Sequence, residues 1–426
     1  MAIDPSAWGV VPGFHDVVGA WHPASEATVQ AVLKAMGAYD GGPVEGPDSR
    51  PQRSASAVTT VRLDHPLPPL PEGELRLEDG GVLRVGGALP PDLPAGYHTL
   101  LPNDEAPRRF VVSPGRCPEP PGPPRWGWAA QLYAARSSSS WGIGDLADLA
   151  GLARWSARLG AGMVLANPLH APLPGAIQEA SPYYPSSRCF ISPLYLRIEE
   201  IPGADTLPDL DGLAAAGRAL NAVRLIDRNA AWELKSAALE RIFDGFTGDP
   251  EFDVFVAERG PTLAGFARFC ALVEMHGNNW RAWPDGLSHP DSPEVARFAD
   301  SHEGGRRVAY HAWLQWHLDR QLAAADAELP LVSDMALGSS GGGADAWLWQ
   351  DCMALGAAAG APPDLFNLAG QDWGLPPWDP WKVRAAAYEP FIQTLRACFR
   401  RAGGLRLDHV MGLFRLYWVP AGCTPA

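Results

Sequence analysis

Apolar and polar residues alternate on both sides of an Asp-Gly-Gly in LRLEDGGVLRV (75–85), which predicts a β-hairpin, and FVVSP (110–114) predicts a further strand. A short helical pattern precedes them, from about Ala27 to Met36. After Trp126 the pattern changes to strand, helix, strand. GWAAQLY (127–133) and GMVLAN (162–167) are short apolar runs, and DLADLAGLARWSARLG (145–160) places Leu146, Leu149, Ala153 and Ser156 on one helical face, with Asp145 as N-cap and Gly160 as stop. RVAYHAWLQWHLDRQLAAADAEL (307–329) predicts a helix leading into LVSDM, and DPWKVRAAAYEPFIQTLRACFRRAG (379–403) a helix leading into GLRLDH. Helices alternating with strands predict the α/β class with a parallel sheet. Residues 206–306, mostly helical with Gly and Pro breaks, read as an insertion.

Two Pro/Gly-rich stretches punctuate the chain, GGPVEGPDSRPQRS (41–54) and PGRCPEPPGPP (114–124). The second predicts a stiff linker, dividing the chain into a helix plus β-rich domain at 1–124 and an α/β domain at 125–426.

Composition narrows the function classes. With 48 acidic and 34 basic residues the net charge is −14, which argues against nucleic acid or an anionic membrane surface as partner. The 45 Gly and 43 Pro accompany a near-absence of lysine, the signature of GC-rich codons, whereas 17 Trp need another reason, and Trp faces stack on sugar rings. Six dispersed cysteines without a CxxC predict neither a zinc site nor a disulfide framework, and nothing calls for a cofactor. No signal-like N-terminus or long apolar run occurs, so the expected location is cytoplasmic.

The four candidate strands carry polar residues at or just past their carboxyl ends: Tyr133, Asn167, Asp334 and Asp408. In a β/α barrel that end carries the chemistry, although any strand reaching solvent ends in something polar. In GLRLDHVMGLF (404–414), strand alternation puts Arg406 and Asp408 on one side, about 7 Å apart at the backbone. A guanidinium beside a carboxylate favours the ionised form that a nucleophile needs; the plainer alternative is a structural salt bridge. GAPPDLFNLAGQDWGLPPW (360–378) is too rich in Pro, Gly and aromatics for a helix or long strand, and reads as a loop presenting Asp364, Phe366, Gln371 and Trp373, or else as a packed surface loop. His311 and His317, six apart beside Trp313 and Trp316, lack a metal spacing and read as core helix.

Taken in order, WGWAAQLYAARSSSSWGIGDLADL, SPYYPSSRCFISPLYL, the Asp of LVSDM, GAPPDLFNLAGQDWGLPPWDP and GLRLDHVMGLFRLYWVP resemble successive motifs of the 4-α-glucanotransferase (amylomaltase) family, over roughly 126–426. The N-terminal part is similar to the β-sandwich extension of actinobacterial members. The resemblance implies a (β/α)8 barrel that cuts an α-1,4-glucan and passes the fragment to another sugar hydroxyl, with maltooligosaccharides as partners and no metal. It implies Asp408 as nucleophile, Arg406 as its support and Asp334 as holder of Arg406. Ser181, Tyr183, Asp364, Gln371, Trp373 and His409 are implied as substrate-binding residues, with no role carried onto Tyr184.

Retaining glycoside chemistry needs two carboxyl groups about 5 to 5.5 Å apart. The family's acid/base Glu and transition-state Asp come from later AEDLG-like and HD motifs, which do not follow Asp408 here. Glu78-Asp79 and His15-Asp16 mimic them in the N-terminal domain. With four strands placed after residue 126 where a closed barrel has eight, the expectation is a C-terminally truncated glucanotransferase, inactive and poorly soluble by itself. The alternatives are a non-catalytic α-glucan-binding or regulatory protein, and a hydrolase of the α-amylase type.

Overall fold

The computed structural model describes residues 3–425 apart from 17, 39–56, 91, 118, 120, 121, 123 and 124. The segment 41–54 therefore lies outside the described residues, as does much of 114–124. The chain divides into two compact units. One is Met1–Pro124 with Asp351–Ala354 and Trp378–Ile392, and the other is Arg125–Gln350, Leu355–Pro377 and Gln393–Ala426. Two short C-terminal stretches thus join the N-terminal unit, a long-range pairing that no local pattern announces.

In the first unit the strands Val58–Arg62, Arg108–Ser113, Gly96–Pro102, Leu70–Arg76 and Val82–Gly87 form one sheet in that order. The first pair is parallel and the rest antiparallel. Gly81 N–H donates to Asp79 Oδ1 and Gly80 takes φ +91°, closing the hairpin read from Asp-Gly-Gly. Leu75, Leu100 and Phe110 bury one face of the sheet against Leu89 and Leu93. Loop leucines supply the other side of this core, and a separate two-stranded sheet pairs Gly13–His15 with Trp21–Pro23.

From residue 125 onward, β1 (Gly127–Ala130), α1 (Leu146–Arg158), β2 (Met163–Ala166), α2 (His302–Glu328), β3 (Leu331–Met335), α3 (Glu389–Phe399) and β4 (Gly404–Leu407) follow in chain order, α3 belonging to the second unit from Gln393 on. The four strands form an all-parallel sheet in the order β4-β3-β2-β1. A Cβ on Gly127 would stand 2.2 Å from the Met163 carbonyl, so β1 meets β2 closely because its first residue has none. Leu146, Leu149, Ala153 and Ser156 are the buried residues of α1, and Asp145 caps it reciprocally with Asp148. Between β2 and β3 come the helices Leu210–Ala219, Arg228–Asp244, Pro250–His276 and Pro293–Asp300. Among the described residues no helix is long and apolar enough to cross a membrane.

Two expectations are corrected. Helix 379–403 is broken into Pro380–Ala385 and α3, because Ala387 and Tyr388 take φ of 54° and 58° and Pro390 opens the second piece, where its missing N–H costs least. The loop 360–378 is partly strand: Ala357–Ala361 pairs antiparallel with Gln371–Leu375 on one side and Tyr417–Pro420 on the other. Its tip exposes Leu365, Phe366 and Leu368.

Candidate active site

The register of β3 against β4 sets Asp334 directly opposite Arg406. Arg406 Nη1 donates to Asp334 Oδ1 at 2.6 Å and Nη2 to Asp408 Oδ1 at 3.0 Å, so one guanidinium joins two carboxylates. Their environments differ sharply, the Asp334 side chain being 3% exposed and that of Asp408 31%. Asp334 is structural in its surroundings, while Asp408 faces outward from the carboxyl end of its strand. The Asp408 N–H still reaches Met335 O at 3.2 Å, and His409 then turns into the left-handed region at φ 47°. A non-glycine residue there ends the strand abruptly, beside the accessible carboxylate.

The segment SPYY supplies the opposite wall. Tyr183 OH donates to Asp334 Oδ2 at 2.7 Å, and Arg406 Nη1 lies 3.4 Å from the same hydroxyl. Burial and this hydrogen bond push the phenol up to about 12, so it stays a neutral donor. The Ser181 hydroxyl accepts from Tyr183 N–H at 3.3 Å, fixing the turn. Tyr184, without a role in the sequence reading, donates to Gly374 O at 3.4 Å and so ties this turn to the 357–375 hairpin. On that hairpin Trp373 Nε1 donates to Gln371 Oε1 at 3.1 Å, and its ring meets His409 edge-on at 5.0 Å.

Tyr183, Asp334, Arg406 and Asp408 are therefore one hydrogen-bonded group, and Gln371, Trp373 and His409 one contact group. Asp364 belongs to neither by hydrogen bond: its Oδ1 accepts from the Phe366 and Asn367 N–H groups and shapes the hairpin tip. A cleft of about 440 Å³ beside Ser181 and Tyr184 is lined also by Tyr133, His170, Tyr195 and Arg228. Asn167 Oδ1 accepts from Leu132 N–H at 2.7 Å and holds the start of the segment bearing Tyr133.

His311 and His317 are buried, His311 against Glu274. Asp79 accepts from Gly81 N–H within its own hairpin, and Glu78 from Tyr97 N–H on the strand Gly96–Pro102. Among the described residues no group of three or more His, Cys, Asp or Glu could hold a metal ion.

Residues 130–426 match the family described as 4-alpha-glucanotransferase. The 4-alpha-glucanotransferase of Mycobacterium tuberculosis is 42% identical over 392 residues, which is 86% of this chain and 53% of that protein. That of Haemophilus influenzae is 34% identical over 376 residues, 80% of this chain and 53% of that protein. The crystal structure of amylomaltase from Corynebacterium glutamicum superposes with a TM-score of 0.81 at 31% identity, covering 99% of this chain and 66% of that one. An amylomaltase from Streptococcus agalactiae, solved in complex with acarbose, gives 0.61 at 17% identity over 71% of this chain and 63% of that one, a likeness of fold. The chain spans about half the length of the curated relatives it matches.

Proposed function

The chain belongs to the 4-alpha-glucanotransferase family, glycoside hydrolase family 77, and on that premise we propose that it carries the nucleophile and donor-side contacts of an enzyme moving α-1,4-glucan segments between maltooligosaccharides. The observation that carries this reading is the Arg406 fork, which joins a buried Asp334 to an accessible Asp408 at the ends of adjacent parallel strands. Asp408 attacks the anomeric carbon, the glycosidic bond breaks, and the glucosyl group rests on its carboxylate until an acceptor hydroxyl takes it. Arg406 and Asp334 fix the angle of that carboxylate. The neutral Tyr183 hydroxyl supports Asp334 and Arg406 without competing for the proton chemistry.

The second carboxyl group is the discriminating feature. Both Asp334 oxygens are already engaged, Oδ1 by Arg406 and Oδ2 by Tyr183, so neither is free to meet a leaving oxygen. We therefore assign the acid/base role to a residue other than the carboxylates of this cluster. The Asp408 side of this site is expected to bind maltooligosaccharide. Isothermal titration with maltoheptaose and chromatography of a maltotriose incubation test this together. The expected outcome is binding, with any turnover yielding glucose plus longer oligomers. No binding would remove this reading, and release of shorter sugars alone would favour hydrolysis.

Trp373 lies against His409, the residue next to the nucleophile, which makes its indole face the stacking surface for a glucosyl ring. Trp373→Ala is expected to weaken maltoheptaose binding by about 1 to 3 kcal/mol. The same titration checks it, and an unchanged affinity would assign Trp373 to packing of the hairpin.

A further inference from the structure

We propose that Arg188, together with His170, positions Asp334 by clamping the peptide that leaves strand β3. The ladder between β3 and β2 covers Leu331 and Val332 and stops there, two residues before Asp334. On the β4 side pairing continues through Asp334 and Met335. The end of β3 that bears the carboxylate is thus held as a strand on one side, and on the other it needs a substitute.

Side chains supply it. Ala336 N–H donates to His170 Nε2 at 3.4 Å, and Arg188 Nη1 donates to Ala336 O at 3.2 Å and Leu337 O at 2.8 Å. Both polar groups of the Ala336 peptide residue are taken, one by each side chain. Arg188 sits on Ser187–Ile191, where four of the five residues are buried. A charge there is costly unless it is paired, and its partner is Asp345: the Arg188 N–H reaches Asp345 Oδ2 at 2.9 Å, and the guanidinium Nε lies 4.0 Å from the same oxygen. Asp345 is itself anchored, its N–H on Ser186 O at 3.0 Å. A forked guanidinium can hold two carbonyls and face a carboxylate at once, which an ammonium on a flexible stem does not reproduce. Burial, with the nearby Arg188 charge, lowers His170 to about 3, so its imidazole remains neutral and able to accept.

Tyr183 reports on the clamp, because after burial the hydrogen bond and charge of Asp334 are the largest influences holding its phenol protonated. If Asp334 moves away, Tyr183 ionises more easily. The readout is the 295 nm absorbance difference at pH 11 between each protein and its Tyr183→Phe counterpart, with circular dichroism at the same pH to establish folding. Arg188→Met is expected to show at least about three times the Tyr183 phenolate of wild type. His170→Phe, which leaves the Arg188–Asp345 pair in place, is expected to move in the same direction by less, and it decides the matter if Arg188→Met does not fold. Folded variants with the wild-type difference would overturn the proposal. Its consequence for catalysis rests on the transferase reading, and maltoheptaose titration of the same proteins separates the two: no binding even by wild type would remove that reading while leaving the Tyr183 result to judge the clamp.

Discussion

Asp408→Asn lowers the rate of maltotriose redistribution by at least ~10³-fold relative to the unsubstituted protein, while maltoheptaose binding stays within about twofold. The amide is the same size as the carboxylate and still accepts from Arg406 Nη2, so the arrangement around it has no reason to collapse. What is lost is the anionic oxygen that bonds to the anomeric carbon. Progress curves for glucose release and a binding titration check the two halves. A variant retaining a tenth or more of the rate would mean that Asp408 stabilises charge without bonding to it.

Arg406→Met has the second large effect, and it acts on both stability and rate. Removing the guanidinium strips a buried Asp334 of its ion pair at 2.6 Å and Asp408 of its orienting bond. Breaking a buried pair costs up to several kcal/mol, but Arg406 is itself about 43% exposed, so water recovers part of this and a loss of ~1 to 3 kcal/mol is expected. The rate should fall at least ~10²-fold. Arg406→Lys is expected to recover stability more fully than rate, since an ammonium can satisfy Asp334 without reaching Asp408 in the same geometry. Thermal unfolding and initial rates of the three proteins check this, and a lysine variant restoring both equally would reduce Arg406 to a point charge.

Much of this geometry follows from local patterns, and the rest depends on partners distant in the chain. The period of 145–160 specified which face of α1 is buried, because Leu146, Leu149 and Ala153 have no other way to share one side. Two-residue alternation likewise put Arg406 and Asp408 on one side of β4. That Arg406 also pairs with Asp334, 72 residues upstream, depends on the register of β3 against β4, which no local pattern shows. The Ala-rich 357–361 run has no strand propensity of its own; pairing with Tyr417–Pro420 imposes the strand from outside. Arg188 and His170 left a fainter trace. A lone arginine in the otherwise small and apolar run SRCFI was a signal that something buried must pair with it, but nothing local pointed to Asp345 or to the Ala336 peptide.

The central claim is that Asp408 is the residue on which the glucosyl group rests, and a covalent trap tests it most directly. A 5-fluoro-α-glucosyl fluoride departs as fluoride, which needs no proton, so the trap depends on the nucleophile and its Arg406 support and not on the acid. Incubated with residues 1–426 and followed by peptide mapping in a mass spectrometer, it is expected to label the peptide containing Asp408, and to leave Asp408→Asn unlabelled. Label on Asp334, or on any other carboxylate of the chain, would contradict the account.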